Sequence, residues 1–346
     1  PYMYSGGSGW RLVTEVIERI KIYNKDGFEY ASKKIPYYKG ESNESVSIKA
    51  VTYNLENGKI EKTKLDGKEI YEEEISEDWS SKNFTMPNIK EGSIVEWKYT
   101  LISPYVQNID EVVCQYDIPI KTLDCKIEIP DFFVFRMFPS RFYPINVRQS
   151  QNSKTIKVMG SSRSQTAWAT TSKTTTGSAD ILQNTYNINA QNIPALKDEP
   201  YVNSMDNYRA LVKFEISAYR PRNGSPELYN TSWEKVTESI YNSPRFGREL
   251  SKNNYFTADL EQILAGTSSQ EEKIKAIFQH VQNKVKWNDD YGKYTKKGVE
   301  KAYKEGHGNV AEVNLTLVSM LREAGLDASP VLVSTRSHGI PLFLSL

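Results

Sequence analysis

The sequence predicts an α+β fold in two parts, an antiparallel, sandwich-like β domain over residues 1–225 and a mixed α+β domain over 226–346. Three observations carry this. Turn dipeptides recur between short β-branched and aromatic segments in the first part. The stretch Pro221-Arg222-Asn223-Gly224-Ser225-Pro226 then interrupts the pattern, as a domain boundary would. Beyond it the apolar residues take up the spacing of helices.

In the first part, Leu12 to Tyr23 could make a helical stripe, but its density of β-branched residues favours a strand. Asp26-Gly27, Asn57-Gly58 and Asp66-Gly67 suit the left-handed positions of tight hairpins. In Ile94 to Leu101, Val95, Trp97, Tyr99 and Leu101 alternate with Glu96, Lys98 and Thr100, which is the pattern of a half-buried strand. The Ser/Thr/Asn-rich stretch 150–192 carries Ile156, Val158, Trp168, Tyr186 and Ile188 at intervals, so it reads as solvent-facing strands and not as a linker. In the second part, Trp233, Val236 and Ile240 form one helical stripe. Ile274, Ile277, Phe278, Val281 and Val285 form a longer one, opened by the capping box Ser269-x-x-Glu272. A third helix is predicted from about Ala311 to Ala324, with Val313, Leu317, Met320 and Leu321 inward and Gly325 just past its end. The apolar run Pro330-Val331-Leu332-Val333 follows and reads as a buried strand.

Composition narrows the function. Lys+Arg total 44 against 43 Asp+Glu, a net charge of +1, which argues against a dedicated nucleic-acid binder. No apolar run approaches the roughly 18 residues that span a bilayer, so no transmembrane helix is expected. Cys114 and Cys125 are too few for a disulfide scaffold; a bridge between them and two free thiols are both open. The chain starts at Pro1 and stops at Leu346 within an apolar stretch, and so reads as a piece of a longer precursor whose leader has been removed.

Few residues offer chemistry. His280, His307 and His338 are the three histidines, without Cys-x-x-Cys or His-x-x-x-His spacing, so neither a metal nor a cofactor is expected. His307, between two glycines, is a turn residue or an exposed ligand, and His280 is a surface or boundary residue of its helix. Arg336 could meet an anion or an ordinary carboxylate. Trp287-Asn288-Asp289-Asp290-Tyr291 combines stacking rings with polar groups, which suits a glycan or peptide groove as well as a packed loop. Glu72-Glu73-Glu74 with Glu77 and Asp78, and Lys293, Lys296, Lys297, Lys301 and Lys304, read as solvated faces. In Gly306-His307-Gly308-Asn309-Val310-Ala311-Glu312 a glycine turn delivers the chain into a helix N-terminus, where backbone N–H groups and the helix dipole favour a thiolate or an oxyanion. Asn309 reads as the N-cap and Val310 as the first helical residue.

On Gly308-Asn309-Val310, Leu321-Arg322-Glu323-Ala324-Gly325-Leu326 and Val331 to Arg336, the C-terminal part resembles the transglutaminase-like (papain-like cysteine) superfamily. There a Gly-x-Cys turn sets a catalytic Cys at the start of a core helix. The first part resembles an uncharacterised bacterial β domain that precedes such domains in exported proteins. Its signatures here are Met86 to Tyr99 with Ser103-Pro104, Gln115 to Pro119, and Ile193 to Pro200. The resemblance implies an antiparallel β domain over 1–225 and a partial transglutaminase-like core over 226–346, its helical half and first core strand, incomplete at the C-terminus. It also places Val310 in the nucleophile slot, between the flank Gly308-Asn309 and the helix. A side chain without a lone pair cannot attack a carbonyl, so no catalytic residue is carried over.

The reading that follows is a non-catalytic module that binds a protein or peptide, with Trp287, Asn288, His307 and Arg336 as candidate binding residues. By resemblance the setting is periplasmic or cell-envelope associated, in an outer-membrane or periplasmic complex. A hydrolase of the same superfamily that uses residues outside this segment is the alternative, and a carbohydrate-binding β protein is a third.

Overall fold

The structure, a computed structural model, describes residues 1–4, 9–40, 42–76, 78–140, 142–166, 169–202, 204–221, 224–229 and 232–335, with side chains except those of 158–176. Glu77, Trp168, Arg336, His338 and the side chain of Val158 lie outside the described residues. The chain divides into two compact units, Pro1–Tyr229 and Asn230–Leu346.

In the first unit the strands run, in chain order, β1 (Tyr2–Tyr4), β2 (Trp10–Lys21), β3 (Ser32–Tyr38), β4 (Ser45–Glu56), β5 (Lys59–Lys64), β6 (Tyr71–Ser76), β7 (Trp79–Thr85) and β8 (Ile94–Ser103). They continue as β9 (Val112–Val113), β10 (Ile120–Pro130), β11 (Phe133–Pro139), β12 (Val147–Thr166), β13 (Ala169–Ile193), β14 (Leu211–Tyr219) and β15 (Glu227–Leu228). A five-stranded sheet of order β1-β2-β8-β4-β5 packs against the three strands β3-β7-β6. Between them lie Val95 and Trp97 of β8, Val46 and Ala50 of β4, Ile35 and Tyr37 of β3, and Phe84 of β7. Each large side chain buried there stabilises the unit by roughly 1.5–3 kcal/mol. The sheets β10-β13-β12 and β11-β14-β15 enclose a second core with Ile129, Phe133, Tyr186, Ile188, Val212 and Phe214.

The alternation in Ile94 to Leu101 is the inside–outside pleat of β8, and the ambiguous stretch from Leu12 is strand, since β2 pairs with β8 along ten residues from Leu12 to Lys21. Of the three turn dipeptides one makes a hairpin. Asn57 and Gly58, both with positive φ (50° and 76°), join β4 to β5 between the paired Glu56 and Lys59. Asp26-Gly27 lies instead in a 3-10 helix, Lys25–Ala31, and Asp66 caps a second, Gly67–Glu69, by accepting from the Lys68 N–H. The correction has a simple cause: the aspartate that starts a turn serves equally well as an N-cap. The described residues of 150–192 are strand, in β12 and β13, but the expectation that they face solvent is corrected for β13, where Ile181, Tyr186 and Ile188 are buried, the last two because the second core covers them. The β12–β13 pairing runs on from Ser153–Leu182 to Thr166–Ala169, beyond the last β10 partner at Gln183.

The second unit contains α1 (Trp233–Asn242), α2 (Gly247–Leu250), α3 (Thr257–Leu264), α4 (Gln270–Lys284), β16 (Lys286–Trp287), α5 (Val299–Glu305), β17 (His307–Gly308) and α6 (Val310–Glu323). With a strand-built first unit and a helical second one, the chain is α+β. The capping box Ser269/Glu272 opens α4, and Gly325 (φ 79°) follows α6 in the left-handed conformation. Helix α6 is buried on two sides. Met320 joins Leu260, Ile277, Val281 and Tyr303, while Ala311, Leu315 and Val318 meet Leu250 and Val299.

Three expectations in this unit are corrected. The inward face of α4 is Ile277 and Val281, continued by Val285, whereas Ile274 and Phe278 are about half exposed. Helix α1 buries none of its residues, and Trp233 is exposed. Pro330 to Val333 form no strand; Val331, Leu332 and Val333 are exposed, and no described strand pairs with them. A strand needs a neighbour for its backbone groups, which an apolar run alone does not supply.

Candidate functional site

Residues far apart in sequence meet at the mouth of α6. Gly306 ends α5 with φ 76°, and the chain turns into β17, which pairs in parallel with β16 so that Lys286 faces His307 and Trp287 faces Gly308. The Asn288 N–H extends this pairing by donating to the Gly308 carbonyl at 3.1 Å. Position 308 has no room for a side chain. A Cβ there would lie 2.8 Å from Glu312 Oε2 and 3.0 Å from the Ala302 methyl.

Asn309 is the N-cap of α6: its Oδ1 accepts from the Glu312 N–H at 2.9 Å, and Glu312 Oε2 accepts from the Asn309 N–H at 2.9 Å. Its Nδ2 donates to the Tyr294 carbonyl at 2.9 Å, which ties the cap to the loop before α5. The Glu312 carboxylate, 1% exposed, does more than cap. Its Oε1 accepts from the backbone N–H groups of Lys296, Lys297 and Gly298 at 3.0, 2.7 and 3.1 Å. One buried carboxylate therefore collects four backbone donors and holds the 296–298 loop on the helix. Glu249 plays a similar part at the start of α5, accepting from the Val299 N–H at 2.8 Å and pairing with Lys252.

Val310, half-buried, is the first residue of α6, and its N–H donates to the Asp290 carbonyl at 3.1 Å. Since Glu312 N–H is held by Asn309 Oδ1 and Val313 N–H by the Asn309 carbonyl, the first turn has few donors left for an anion. Beside it Trp287 donates from Nε1 to the Asp290 carbonyl at 3.1 Å, and its ring meets Tyr291 edge-on at 4.9 Å. The two rings are 42% and 66% exposed and form an open ledge. The Asn288 side chain accepts from the Asp290 N–H at 3.3 Å. His307 is exposed, its Nδ1 3.1 Å from the Glu305 carbonyl oxygen. The structure thus brings Trp287, Asn288, His307, Gly308, Asn309 and Val310 into one neighbourhood.

Reasoning from sequence missed Glu312 as a loop anchor, although Asn309-x-x-Glu312 carries the capping-box spacing. His280 is the boundary residue expected, but its partners are not legible in the sequence: its Nε2 lies 2.7 Å from the Tyr303 hydroxyl, which donates to Asp259 Oδ2 at 2.5 Å. This network links α3, α4 and α5. Burial lowers the His280 pKa against the pull of Asp259, and burial and Asp259 raise that of Tyr303. Both cysteines are free thiols in the first unit, and burial pushes Cys114 up to about 12. The acidic run is tied down, Glu72 to Lys39 and Glu73 to Lys34, while Lys297 and Lys304 pair with Glu305 and Glu300.

Residues 258–340 match the transglutaminase-like superfamily, and residues 11–195, more than half of the chain, match a domain of unknown function with a solved structure, DUF3857. No curated protein matches. Among solved structures, a crystal structure of a "putative protease" from Parabacteroides distasonis ATCC 8503 shares the fold with a TM-score of 0.60 at 13% identity. That match covers 94% of this chain and 57% of the other. The superfamily match contains no cysteine, since Cys114 and Cys125 both fall within the preceding domain.

Proposed function

The chain belongs to the DUF3857 family and carries a transglutaminase-like domain after it, and from that premise we propose that it is a non-catalytic member that binds a protein or peptide. The observation that carries the proposal is Val310. A hydrocarbon side chain opens α6, its own N–H is taken by Asp290, and residues 230–346 contain no cysteine. Thioester chemistry requires a thiolate, and the two thiols of the first unit, Cys114 buried and Cys125 half-buried, are both held toward the protonated form by burial. What the neighbourhood offers is surface: the exposed Trp287–Tyr291 ledge, and the exposed His307 on the strand that pairs with β16. Large, stiff aromatic side chains contribute contact area at low entropic cost. An extracytoplasmic assembly as the setting rests on the family resemblance.

Selection of a displayed peptide library on the purified protein tests the proposal. Enriched peptides should lose at least about tenfold in affinity, ~1.4 kcal/mol, for Trp287→Ala. Hydrolysis or transamidation of glutamine-containing peptides that survives Val310→Ala would overturn it. The competing reading, a hydrolase, draws on the description of the Parabacteroides structure as a protease. Cleavage of a complex peptide mixture by this chain would favour that reading.

A further inference from the structure

The first unit carries a second site of a different kind. A pocket of about 370 Å³ opens between the β10–β11 turn, β13 and the end of β14, and it is lined by Asp131, Phe132, Asp180, Ile181, Leu182 and Arg220. Its walls are fixed to one another through the backbone. The Asp131 N–H donates to the Leu182 carbonyl at 2.9 Å and the Arg220 N–H to the Phe132 carbonyl at 2.8 Å, so both charged residues stand on hydrogen-bonded positions. The apolar wall is equally anchored. Ile181 is 4% exposed, and the Phe132 ring packs at 5.1 Å on Trp10 and 4.9 Å on Phe133. Leu182 offers its side chain to solvent, 47% exposed.

The charged groups of the lining differ in their engagement. Asp180 is engaged, its Oδ1 accepting from the Thr155 hydroxyl at 2.6 Å. Among the described residues, however, neither the Asp131 carboxylate nor the Arg220 guanidinium has an ion-pair partner, and the two do not pair with each other. The lining thus combines a forked donor suited to a carboxylate, an acceptor suited to an ammonium, and apolar surface. The volume lies near the lower end of the ~300–1,000 Å³ typical of small-molecule sites.

We infer that this pocket binds a small zwitterion with an apolar side chain, a free α-amino acid or dipeptide, its carboxylate on Arg220, its ammonium on Asp131 and its side chain against Phe132, Ile181 and Leu182. The site lies in the first unit, so its failure would leave the reading of Val310 and the Trp287 ledge untouched. Ligand-observed NMR titration of the full chain with leucine and with Leu-Leu tests it, using N-acetyl-leucine and leucine amide as single-charge controls. The expected result is a dissociation constant of about 1 mM or tighter for at least one of the zwitterions, with each single-charge analogue at least tenfold weaker. Arg220→Gln and Asp131→Asn, both exposed substitutions, should each weaken the zwitterion about tenfold, with an unchanged melting temperature. No saturation transfer to either zwitterion, or binding that both variants leave unchanged, would overturn the inference, as would a leucine amide that binds as tightly as leucine.

Discussion

Removing the Glu312 carboxylate should open the mouth of α6 while leaving the helix itself in place. In Glu312→Ala the N–H groups of Lys296, Lys297, Gly298 and Asn309, now held at 2.7–3.1 Å, lose their acceptor at a site where the parent side chain is 1% exposed. A buried donor without a partner costs ~1–3 kcal/mol. Water entering the vacated space recovers part of the four-fold sum, so a net loss of about 4 kcal/mol is expected. That is a large fraction of the ~5–15 kcal/mol that stabilises a domain. Glu312→Gln keeps a carbonyl oxygen for the three loop donors and turns its amide toward the Asn309 N–H, so it loses one bond and about 1–3 kcal/mol. Hydrogen exchange with mass spectrometry reads both effects locally. Peptides spanning 294–300 should lose protection completely in the Ala variant and partly in the Gln variant, while 314–323 stay protected until global unfolding. Unchanged protection at 296–298 in Glu312→Ala, or a stability loss below about 1 kcal/mol, would refute the role given to this carboxylate.

Two further outcomes are expected. Gly308→Ala forces a methyl to within 2.8–3.0 Å of Glu312 and Ala302 and should cost about 1–3 kcal/mol by overpacking, read from the denaturant midpoint of the second unit's transition. Because burial depresses the His280 pKa below its ordinary 6.5, the unfolded chain binds the proton more readily. Stability is then full above about pH 6.5 and declines as the pH falls through the folded value; His280→Gln should flatten that slope in melting temperatures recorded between about pH 5 and 8.

The amino-acid sequence by itself determined what is set within a few residues. The Asn57-Gly58 hairpin follows from residues that tolerate positive φ, the pleat of β8 from strict alternation, and the starts of α4 and α6 from Ser269/Glu272 and the Asn309 cap. The absence of a thiol from residues 230–346 is likewise a matter of composition alone. Tertiary structure decided whatever depends on groups distant along the chain. Glu312 is more than a cap because the 296–298 loop folds back onto it, and Trp287 stands beside Gly308 because β16 and β17 pair residues twenty-one apart along the chain. The same holds for His280, which gains its partners from α3 and α5, and for Ile274 and Phe278, left outside because α4 meets its neighbours along the narrower line of Ile277 and Val281. Periodicity announces which residues can be buried, but the surface that arrives to cover them chooses among those residues, and its arrival depends on contacts that no local pattern encodes.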